Sequence, residues 1–189
     1  MNNLITRTTE LAMAITRAYI QPGDSVVDAT CGNGQDTVAL AKAVGKEGKV
    51  FAFDIQKKAL ILAEARLRSH GIDNVQLIMK SFTSMEQYVP ENSVAAVVFN
   101  LGYLPGGDHS ITTKSETTLA GLEAAVRTIR RGGIVTVVLY DGHKEGAEEK
   151  ARVLEWARGL DAGKYHAAFV NLINQENNPP EILWITKKR

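Results

Sequence analysis

The amino-acid sequence predicts an α/β fold, with a seven-stranded, mostly parallel sheet, an antiparallel C-terminal hairpin strand and helices on both faces. Apolar strand-like runs alternate with helical patterns from Ser25 onward, as in a parallel sheet. The last two runs are separated only by residues 174–180, which are rich in turn formers and too few for a crossover helix. A glycine-rich turn after the first strand is typical of ligand-binding α/β domains.

Each strand is placed by an apolar run bounded by turn residues. Residues 133–140 are apolar enough for a buried central strand, and the last two strands form the hairpin. The predicted strands are 25–29, 49–54, 75–79, 94–99, 133–140, 166–173 and 181–186.

The helices are placed by amphipathic spacing. Gly71 marks the end of one helix, and the pair Gly132-Gly133 is expected to stop another. An apolar stripe that faces the sheet is formed by Ala59, Leu60, Ala63 and Leu67. The predicted helices are 4–20, 36–45, 56–70, 115–130 and 145–159.

Length and composition fit one domain. The 189 residues are 44% hydrophobic, enough for a substantial core, so we expect a single domain over 1–189 with the helix at 4–20 packed on it. The single cysteine, Cys31, excludes an intramolecular disulfide and a cysteine-cluster metal site. No window approaches the ~18 apolar residues of a membrane span, and no signal peptide is visible. We expect a cytoplasmic protein with no membrane partner.

The charge is nearly balanced, with 22 Lys and Arg against 21 Asp and Glu. The chain lacks the strong positive charge that often marks nucleic-acid binders, so any RNA contact would depend on local patches. The candidates are Arg127, Arg130, Arg131 and the tail 187–189, with ordinary solvated charges as the alternative.

An acidic, glycine-rich turn, Asp28-Ala29-Thr30-Cys31-Gly32-Asn33-Gly34-Gln35-Asp36-Thr37, joins the first strand to a helix. In an open α/β sheet, ligands bind beyond the carboxyl ends of the strands, and a glycine turn lets the backbone approach a nucleotide-like ligand. The second strand also ends in an acid, Asp54, 20 residues after Gly34. An acid at this offset is expected to meet the two hydroxyls of a ribose.

The turn departs from a dinucleotide fingerprint. Thr37 stands where the third glycine would be, and Asp36 would repel a pyrophosphate. A carboxylate there suits a cationic or zwitterionic ligand with a ribose and no phosphate, such as S-adenosylmethionine, although an ordinary helix start remains the alternative. The expected cofactor contacts are Asp28, Thr30, Gly32, Asn33, Gly34, Gln35, Asp36, Thr37, Asp54, Gln56, Ser81, Phe82 and Asn100.

The fourth strand leads into a second motif, Asn100-Leu101-Gly102-Tyr103-Leu104-Pro105. It resembles the Asn-Pro-Pro-Tyr type motif of methyltransferases that act on amino nitrogens, in which the polar side chain holds the nitrogen in line with the methyl group. Asn100 as a loop cap and Tyr103 as a cover of the core are the alternatives. Five parallel strands followed by an antiparallel hairpin is also the plan of the class I (Rossmann-like) methyltransferases.

Several specific motifs resemble one family over nearly the whole chain. They are the turn at 28–37, Phe53-Asp54-Ile55-Gln56, the run from Phe99 to Asp108 with Asn-Leu-Gly-Tyr-Leu-Pro-Gly-Gly, Ile111-Thr112-Thr113, Tyr140-Asp141-Gly142-His143 and the segment from Asn174-Gln175 to Pro179-Pro180. They are similar to the YtqB/MnmM family of small bacterial class I methyltransferases, long labelled "putative rRNA methylases". The resemblance implies a methyltransferase acting on tRNA. The amino group of 5-aminomethyl-(2-thio)uridine at the wobble position, in the anticodon stem-loop, would become the 5-methylaminomethyl form.

One departure concerns the adenine side of the cofactor. The family often has a His after the third strand, where this chain reads Lys80-Ser81-Phe82-Thr83. Ser81 could bond the adenine amino group and Phe82 could pack on its face, or they could be a helix cap and a core residue.

Transfer to an alkyl amine needs the neutral form of that amine and no metal. The expected catalytic residues are Asn100, Tyr103 and His143, with His143 as the candidate proton acceptor and a structural histidine as the alternative.

The loop at 102–115 could be a lid. A homodimer is expected from the frequency of symmetric dimers. The expected substrate contacts are Leu104, Pro105, Asp108, Thr112, Thr113, Lys114, Tyr140, His143, Asn174 and Gln175.

The sequence leaves three further functions open. A nicotinamide-dependent oxidoreductase would use a similar fold, although Asp36 and the missing third glycine count against it. A non-catalytic RNA-binding module is the second candidate. A methyltransferase that acts on rRNA or on a small amine is the third.

Overall fold

Seven strands form one sheet in the order β3-β2-β1-β4-β5-β7-β6. The computed structural model describes residues 7–101, 115–140, 144–175 and 179–189. The strands are β1 Ser25–Asp28, β2 Lys49–Phe53, β3 Val75–Ile78, β4 Val94–Leu101, β5 Ile129–Leu139, β6 Tyr165–Val170 and β7 Glu181–Lys187. The helices are α1 Thr8–Arg17, α2 Gln35–Val44, α3 Lys57–Ser69, α4 Ser115–Thr128 and α5 Lys144–Arg158, with a 3₁₀ helix at Phe82–Gln87.

The strand directions confirm the predicted fold class. β1 pairs in parallel with both β2 and β4, and β5 pairs in parallel with β4. β7 is antiparallel to both β5 and β6, so it lies between them. The strand order reverses between β1 and β4, which is the point where open α/β sheets bind ligands. Asp28 ends β1, and Asn100 is the last residue but one of β4, so both side chains stand at this point.

Apolar residues on successive positions of the strands fill two cores, one on each face of the sheet. Val26 packs with residues of α1 and α2, whereas Val27 packs with residues of α4 and α5. The predicted stripe of α3 faces the sheet, with Ala59, Ala63 and Leu67 buried and Leu60 partly buried. The two layers of helices hold the carboxyl ends of the parallel strands at one edge of the sheet, which we call the carboxyl edge.

The pair Gly132-Gly133 does not stop a helix, contrary to the prediction. α4 already ends at Thr128, and the glycines lie inside β5, where the register with β4 shifts. Gly132 has φ +74°, and a Cβ on Gly133 would lie 2.9 Å from the carbonyl oxygens of Ala95 and Arg130. The glycines therefore shape a β-bulge in close contact with the neighbouring strand.

The chain also differs from the predicted bounds at β6 and α1. β6 ends at Val170 instead of 173, and Ile173 is 93% exposed. α1 ends at Arg17, and the predicted residues 4–6 of that helix lie outside the described residues. Its Thr16 Oγ1 lies 2.7 Å from Thr136 Oγ1 of β5, so this helix packs on the sheet. None of the helices within the described ranges is long and apolar enough to cross a membrane.

Candidate active site

The turn after β1 is built around the buried carboxyl of Asp28. Its Oδ2 accepts a hydrogen bond of 2.6 Å from Thr37 Oγ1, and its Oδ1 accepts one of 3.2 Å from the backbone N–H of Thr30. The backbone N–H of Cys31 donates to the carbonyl of Phe53 at 2.8 Å, which fastens the turn to the end of β2. The Cys31 side chain is 4% exposed and fills the space beneath the turn.

The two glycines of the turn have backbone conformations that L side chains rarely adopt. Gly32 has φ +52° and Gly34 has φ +80°. A Cβ on Gly34 would lie 2.9 Å from both Cα and Cβ of Ala63 on α3. The turn therefore runs directly against α3, and its backbone amides stay close to the end of β2.

Asp54, which the sequence predicts to meet a ribose, is fastened to this turn. Its Oδ2 accepts a hydrogen bond of 2.9 Å from the N–H of Gly32, and its Oδ1 accepts one of 2.8 Å from the N–H of Gln56. Each carboxylate oxygen has two lone pairs, so both oxygens keep an acceptor position for a hydroxyl.

Two exposed apolar side chains lie beside Asp54, and the sequence motifs did not predict them as part of the site. Ile55 is 60% exposed and Met79 is 59% exposed. The N–H of Asp54 donates to the carbonyl of Ile78, so the ends of β2 and β3 that carry these side chains are adjacent. Apolar surface beside a carboxylate suits a nucleoside. The signal in the sequence that could have indicated this surface is Ile55, an apolar residue directly after Asp54.

Asn100 lies against the turn. Its backbone N–H donates to Thr30 Oγ1 at 2.7 Å, and its side-chain Nδ2 donates to Asp36 Oδ2 at 2.6 Å. The second sequence motif thereby meets the first at the switch point of the sheet. Tyr140 follows β5 at the same edge and is 42% exposed.

Burial changes the acidities of this site. Desolvation, followed by the charge of Asp36, raises the pKa of Asp28 to about 7. Desolvation also raises the pKa of Asp36, against the hydrogen bond from Asn100 and the charge of Arg17. Partial desolvation raises the pKa of Tyr140, and the Asp36 charge raises it further. These three ionisable groups of the site are therefore weaker acids than usual, because they are partly shielded from water.

The Asp28 carboxyl makes folding depend on pH. A folded-state pKa of about 7, above the ordinary 3.8, means that the folded protein binds this proton more tightly than the unfolded chain. Its contribution to stability is complete below about pH 4 and is lost as the pH rises to about 7. Asp28→Asn keeps the partners Thr30 and Thr37 and removes this loss. We expect its free energy of unfolding, relative to wild type, to rise by a few kcal/mol between pH 4 and 8, at about 1.4 kcal/mol per pKa unit.

Urea unfolding of both cofactor-free proteins across this pH range measures the difference. A difference that stays constant with pH would show that Asp28 ionises in the folded state as it does in the unfolded chain.

The residues proposed for the adenine side have structural partners. Ser81 caps the 3₁₀ helix, since its Oγ accepts from the N–H of Thr83 at 3.3 Å. Phe82 is 7% exposed and packs edge-on against Phe99 at 5.4 Å between ring centroids. A Cβ on Gly121 of α4 would lie 2.4 Å from the Phe82 ring. These placements match the cap and core alternatives, so the adenine contacts of Ser81 and Phe82 remain predictions.

Asn174 and Gln175 are exposed in the turn after β6. β6 runs in the direction of β5, so this turn stands at the carboxyl edge, but three strand spacings, roughly 14 Å, separate β6 from β4. The predicted site residues that lie outside the described ranges are Tyr103, Leu104, Pro105, Asp108, Thr112, Thr113, Lys114 and His143.

The basic residues considered for RNA contact lie at the opposite edge of the sheet. Arg127 pairs with Glu86 at 2.7 Å, and Arg130 pairs with Asp24 at 2.9 Å. Lys187 donates to backbone carbonyls around the end of α4, including that of Val126 at 3.0 Å. These cations pair with groups near the start of the parallel strands, away from the carboxyl edge.

The polar and apolar groups at the carboxyl edge match the parts of S-adenosylmethionine. Asp54 presents acceptors for a ribose beside exposed apolar side chains, and the turn offers backbone amides together with the partly buried carboxyl group of Asp36. The Asp36 carboxylate disfavours a pyrophosphate in the same place. The side-chain amide of Asn100 lies beside these groups, bonded to Asp36.

Comparisons with known proteins agree with this interpretation. Residues 50–186 match the family described as "Putative rRNA methylase", and residues 1–94 match the protein-L-isoaspartate(D-aspartate) O-methyltransferases. The chain is 40% identical over 183 residues to the Arabidopsis thaliana protein named "tRNA (mnm(5)s(2)U34)-methyltransferase, chloroplastic", covering 92% of this chain and 67% of that protein.

Two solved structures are similar over almost their full length. An rRNA methylase, named "putative", from Clostridium thermocellum is 44% identical, with a TM-score of 0.93 over 95% of this chain and 97% of that one. A methyltransferase from Streptococcus mutans, likewise named "putative" and solved in complex with SAH, is 35% identical, with a TM-score of 0.87 over 96% and 98% of the two chains.

Fold, site and relatives together define a class I methyltransferase that uses S-adenosylmethionine. The assignment as a methyltransferase excludes a nicotinamide-dependent oxidoreductase and a non-catalytic RNA-binding module as the principal function. The chain belongs to the "putative rRNA methylase" family, which is the YtqB/MnmM family that its motifs resemble.

Proposed function

We propose that the protein methylates the amino group of 5-aminomethyl-(2-thio)uridine at the tRNA wobble position, giving the 5-methylaminomethyl form. The observation that carries the proposal is the placement of Asn100 at the end of β4, bonded to the turn expected to hold the cofactor. An Asn at this place suits an amine substrate, because its carbonyl oxygen accepts an N–H and so orients the nitrogen lone pair. The name of the Arabidopsis thaliana relative supports the same substrate.

S-adenosylmethionine supplies a methyl group that its sulfonium already activates. The chain has to hold, orient and desolvate the reactants. We assign the ribose hydroxyls to Asp54, the methionine end to the turn at 30–36 and the reacting nitrogen to Asn100 and Tyr103. The substrate ammonium must lose a proton before it attacks. We propose His143 as the acceptor of that proton and Tyr140 as a further substrate contact.

The roles of Asn100 and Tyr103 can be separated from cofactor binding. We expect Asn100→Ala and Tyr103→Ala each to lower kcat by roughly 100-fold, because the nitrogen is no longer held in line. The dissociation constant for S-adenosylmethionine should change much less. Single-turnover assays and titration calorimetry measure the two quantities. Wild-type turnover in both variants would show that Asn100 and Tyr103 do not hold the reacting nitrogen.

The substrate class is tested with purified enzyme. Methyl transfer is compared on tRNA carrying 5-aminomethyl-2-thiouridine, on rRNA and on a small alkyl amine. We expect transfer to the tRNA alone. The family description "Putative rRNA methylase" favours rRNA as the second candidate, and transfer to rRNA alone would support that one.

We further propose that the partner is the anticodon stem-loop. The residues proposed to contact it are Leu104, Pro105, Asp108, Thr112, Thr113, Lys114, Tyr140, His143, Asn174 and Gln175. We also propose that the protein is cytoplasmic, that residues 1–189 form a single domain and that the protein is a homodimer. Footprinting of the tRNA and sedimentation of the protein with and without tRNA test these points. Protection confined to the acceptor stem would contradict the first of them.

A further inference from the structure

Asp36 and Asn100 form a side-chain hydrogen bond across 64 positions of the sequence. Asp36 lies in the first turn of α2, and Asn100 lies near the end of β4. The bond joins Asn100 Nδ2 to Asp36 Oδ2 at 2.6 Å, and both residues are partly buried. A short bond to a carboxylate in such a place is strong, because the charge assists it and water competes little.

The chemistry of the two groups determines which way the Asn100 amide faces. An ionised carboxylate only accepts hydrogen bonds, whereas an amide has a donating NH₂ and an accepting oxygen. The NH₂ of Asn100 must therefore face Asp36, and Oδ1 must face away from it. Within the described ranges, no protein group donates to this Oδ1 at hydrogen-bond distance.

The orientation matters for the nucleophile. An amine presents N–H donors, so it is matched by an oxygen acceptor and opposed by an NH₂. With Oδ1 directed at it, the amine is held by one N–H, which leaves its lone pair in a defined direction. A reversed amide would instead present two donors, which suits an oxygen nucleophile or a carbonyl.

We propose that Asp36 is a positioning residue that holds the Asn100 amide with Oδ1 toward the substrate amine and so selects a nitrogen nucleophile. The proposal rests on the function proposed above and assigns Asp36 a role on the substrate side of the site. Among the residues that the structure describes, the charged and titratable groups around it are Arg17 of α1, Asp28 of β1 and Tyr140 after β5. Burial raises the pKa of Asp36, whereas the hydrogen bond from Asn100 and the Arg17 charge oppose this rise and favour the carboxylate form that the role requires.

The first test replaces one member of the pair at a time. Asp36→Asn keeps the size of the side chain, but two amides can bond in either orientation, so Asn100 is no longer fixed. Asn100→Asp places two carboxyl groups together and loses the donor. We expect each variant to lower kcat at least about 10-fold on the tRNA substrate when S-adenosylmethionine is saturating, so that a change in cofactor affinity does not enter the result.

The second test exchanges the two residues. In Asp36→Asn/Asn100→Asp, the amide at position 36 donates to the carboxylate at position 100, whose other oxygen faces the amine. We expect kcat to recover well above either single variant. The acid limb of the kcat profile should also move to higher pH, because a carboxylate beside the amine favours its ammonium form. A bond that merely ties α2 to β4 would not move this limb.

Asp24→Asn is the matched control. It removes a partly buried carboxylate that accepts from Arg130 at 2.9 Å, at the opposite edge of the sheet, and it should keep wild-type kcat. Thermal midpoints of all variants exclude unfolding as the cause of lost turnover.

The outcomes separate the two proposals. No transfer by the wild-type enzyme to the aminomethyl-uridine tRNA would overturn the proposed function. Wild-type transfer together with an unaffected Asp36→Asn variant, or with an exchanged pair no more active than the single variants, would overturn the role of Asp36 alone.

Discussion

Replacing Asp54 by alanine is expected to abolish binding of S-adenosylmethionine while the protein stays folded. The carboxylate accepts hydrogen bonds from the N–H groups of Gly32 and Gln56, so it both shapes the turn and offers its remaining lone pairs to the ribose. Hydrogen bonds to a charged group are worth about 1.5–3 kcal/mol each. Loss of the two hydrogen bonds from the ribose hydroxyls should weaken cofactor binding by at least about 100-fold.

Titration calorimetry measures this affinity, and circular dichroism reports whether the variant is folded. Asp73→Ala is the matched control, since Asp73 is exposed in the loop before β3 and should leave the affinity unchanged. An Asp54→Ala variant that binds the cofactor as tightly as wild type would rule out the assigned ribose contact.

Replacing Gly34 by alanine is expected to damage both stability and cofactor binding. Its φ of +80° costs a side chain roughly 1 kcal/mol, and the new Cβ would lie 2.9 Å from the Ala63 backbone. Relieving that overlap requires the turn or α3 to shift, at a further cost of about 1–3 kcal/mol. Because the turn holds Gly32 against Asp54, the shift should weaken cofactor binding as well.

Two further variants separate these causes. Gly71 has φ +62° with nothing within 4 Å of a Cβ, so Gly71→Ala should show only the conformational cost. Ala63→Gly, added to Gly34→Ala, removes the methyl that the new Cβ meets and should restore part of the loss. Urea unfolding measures each step. Equal destabilisation by Gly34→Ala and Gly71→Ala would mean that α3 does not confine the turn.

The fold could be predicted largely because its signals are local. Apolar runs, glycine turns and the short 174–180 connection identify seven strands and the antiparallel hairpin. The start of β5 could not be found in this way. Gly132-Gly133 is a helix-stop signal in sequence, and only the packing against Ala95 makes it a bulge inside a strand.

The site was predictable where a strand end determines it. Asp54 meets the glycine turn because the carboxyl ends of parallel strands share one edge. The bond between Asp36 and Asn100 was not predictable, because it depends on how α2 sits over β4. For Phe82, an aromatic residue after a strand is compatible with both cofactor and core, and its contact with Gly121 favours the core.

The most direct test of the proposed function is nucleoside mass spectrometry of tRNA from a strain that lacks this protein. We expect 5-aminomethyl-2-thiouridine to accumulate, and to be converted to its methylated form when the purified enzyme and S-adenosylmethionine are added. Enzyme carrying Asn100→Ala should convert little of it. A wobble nucleoside profile identical to that of the parent strain would contradict the assignment of tRNA as the substrate.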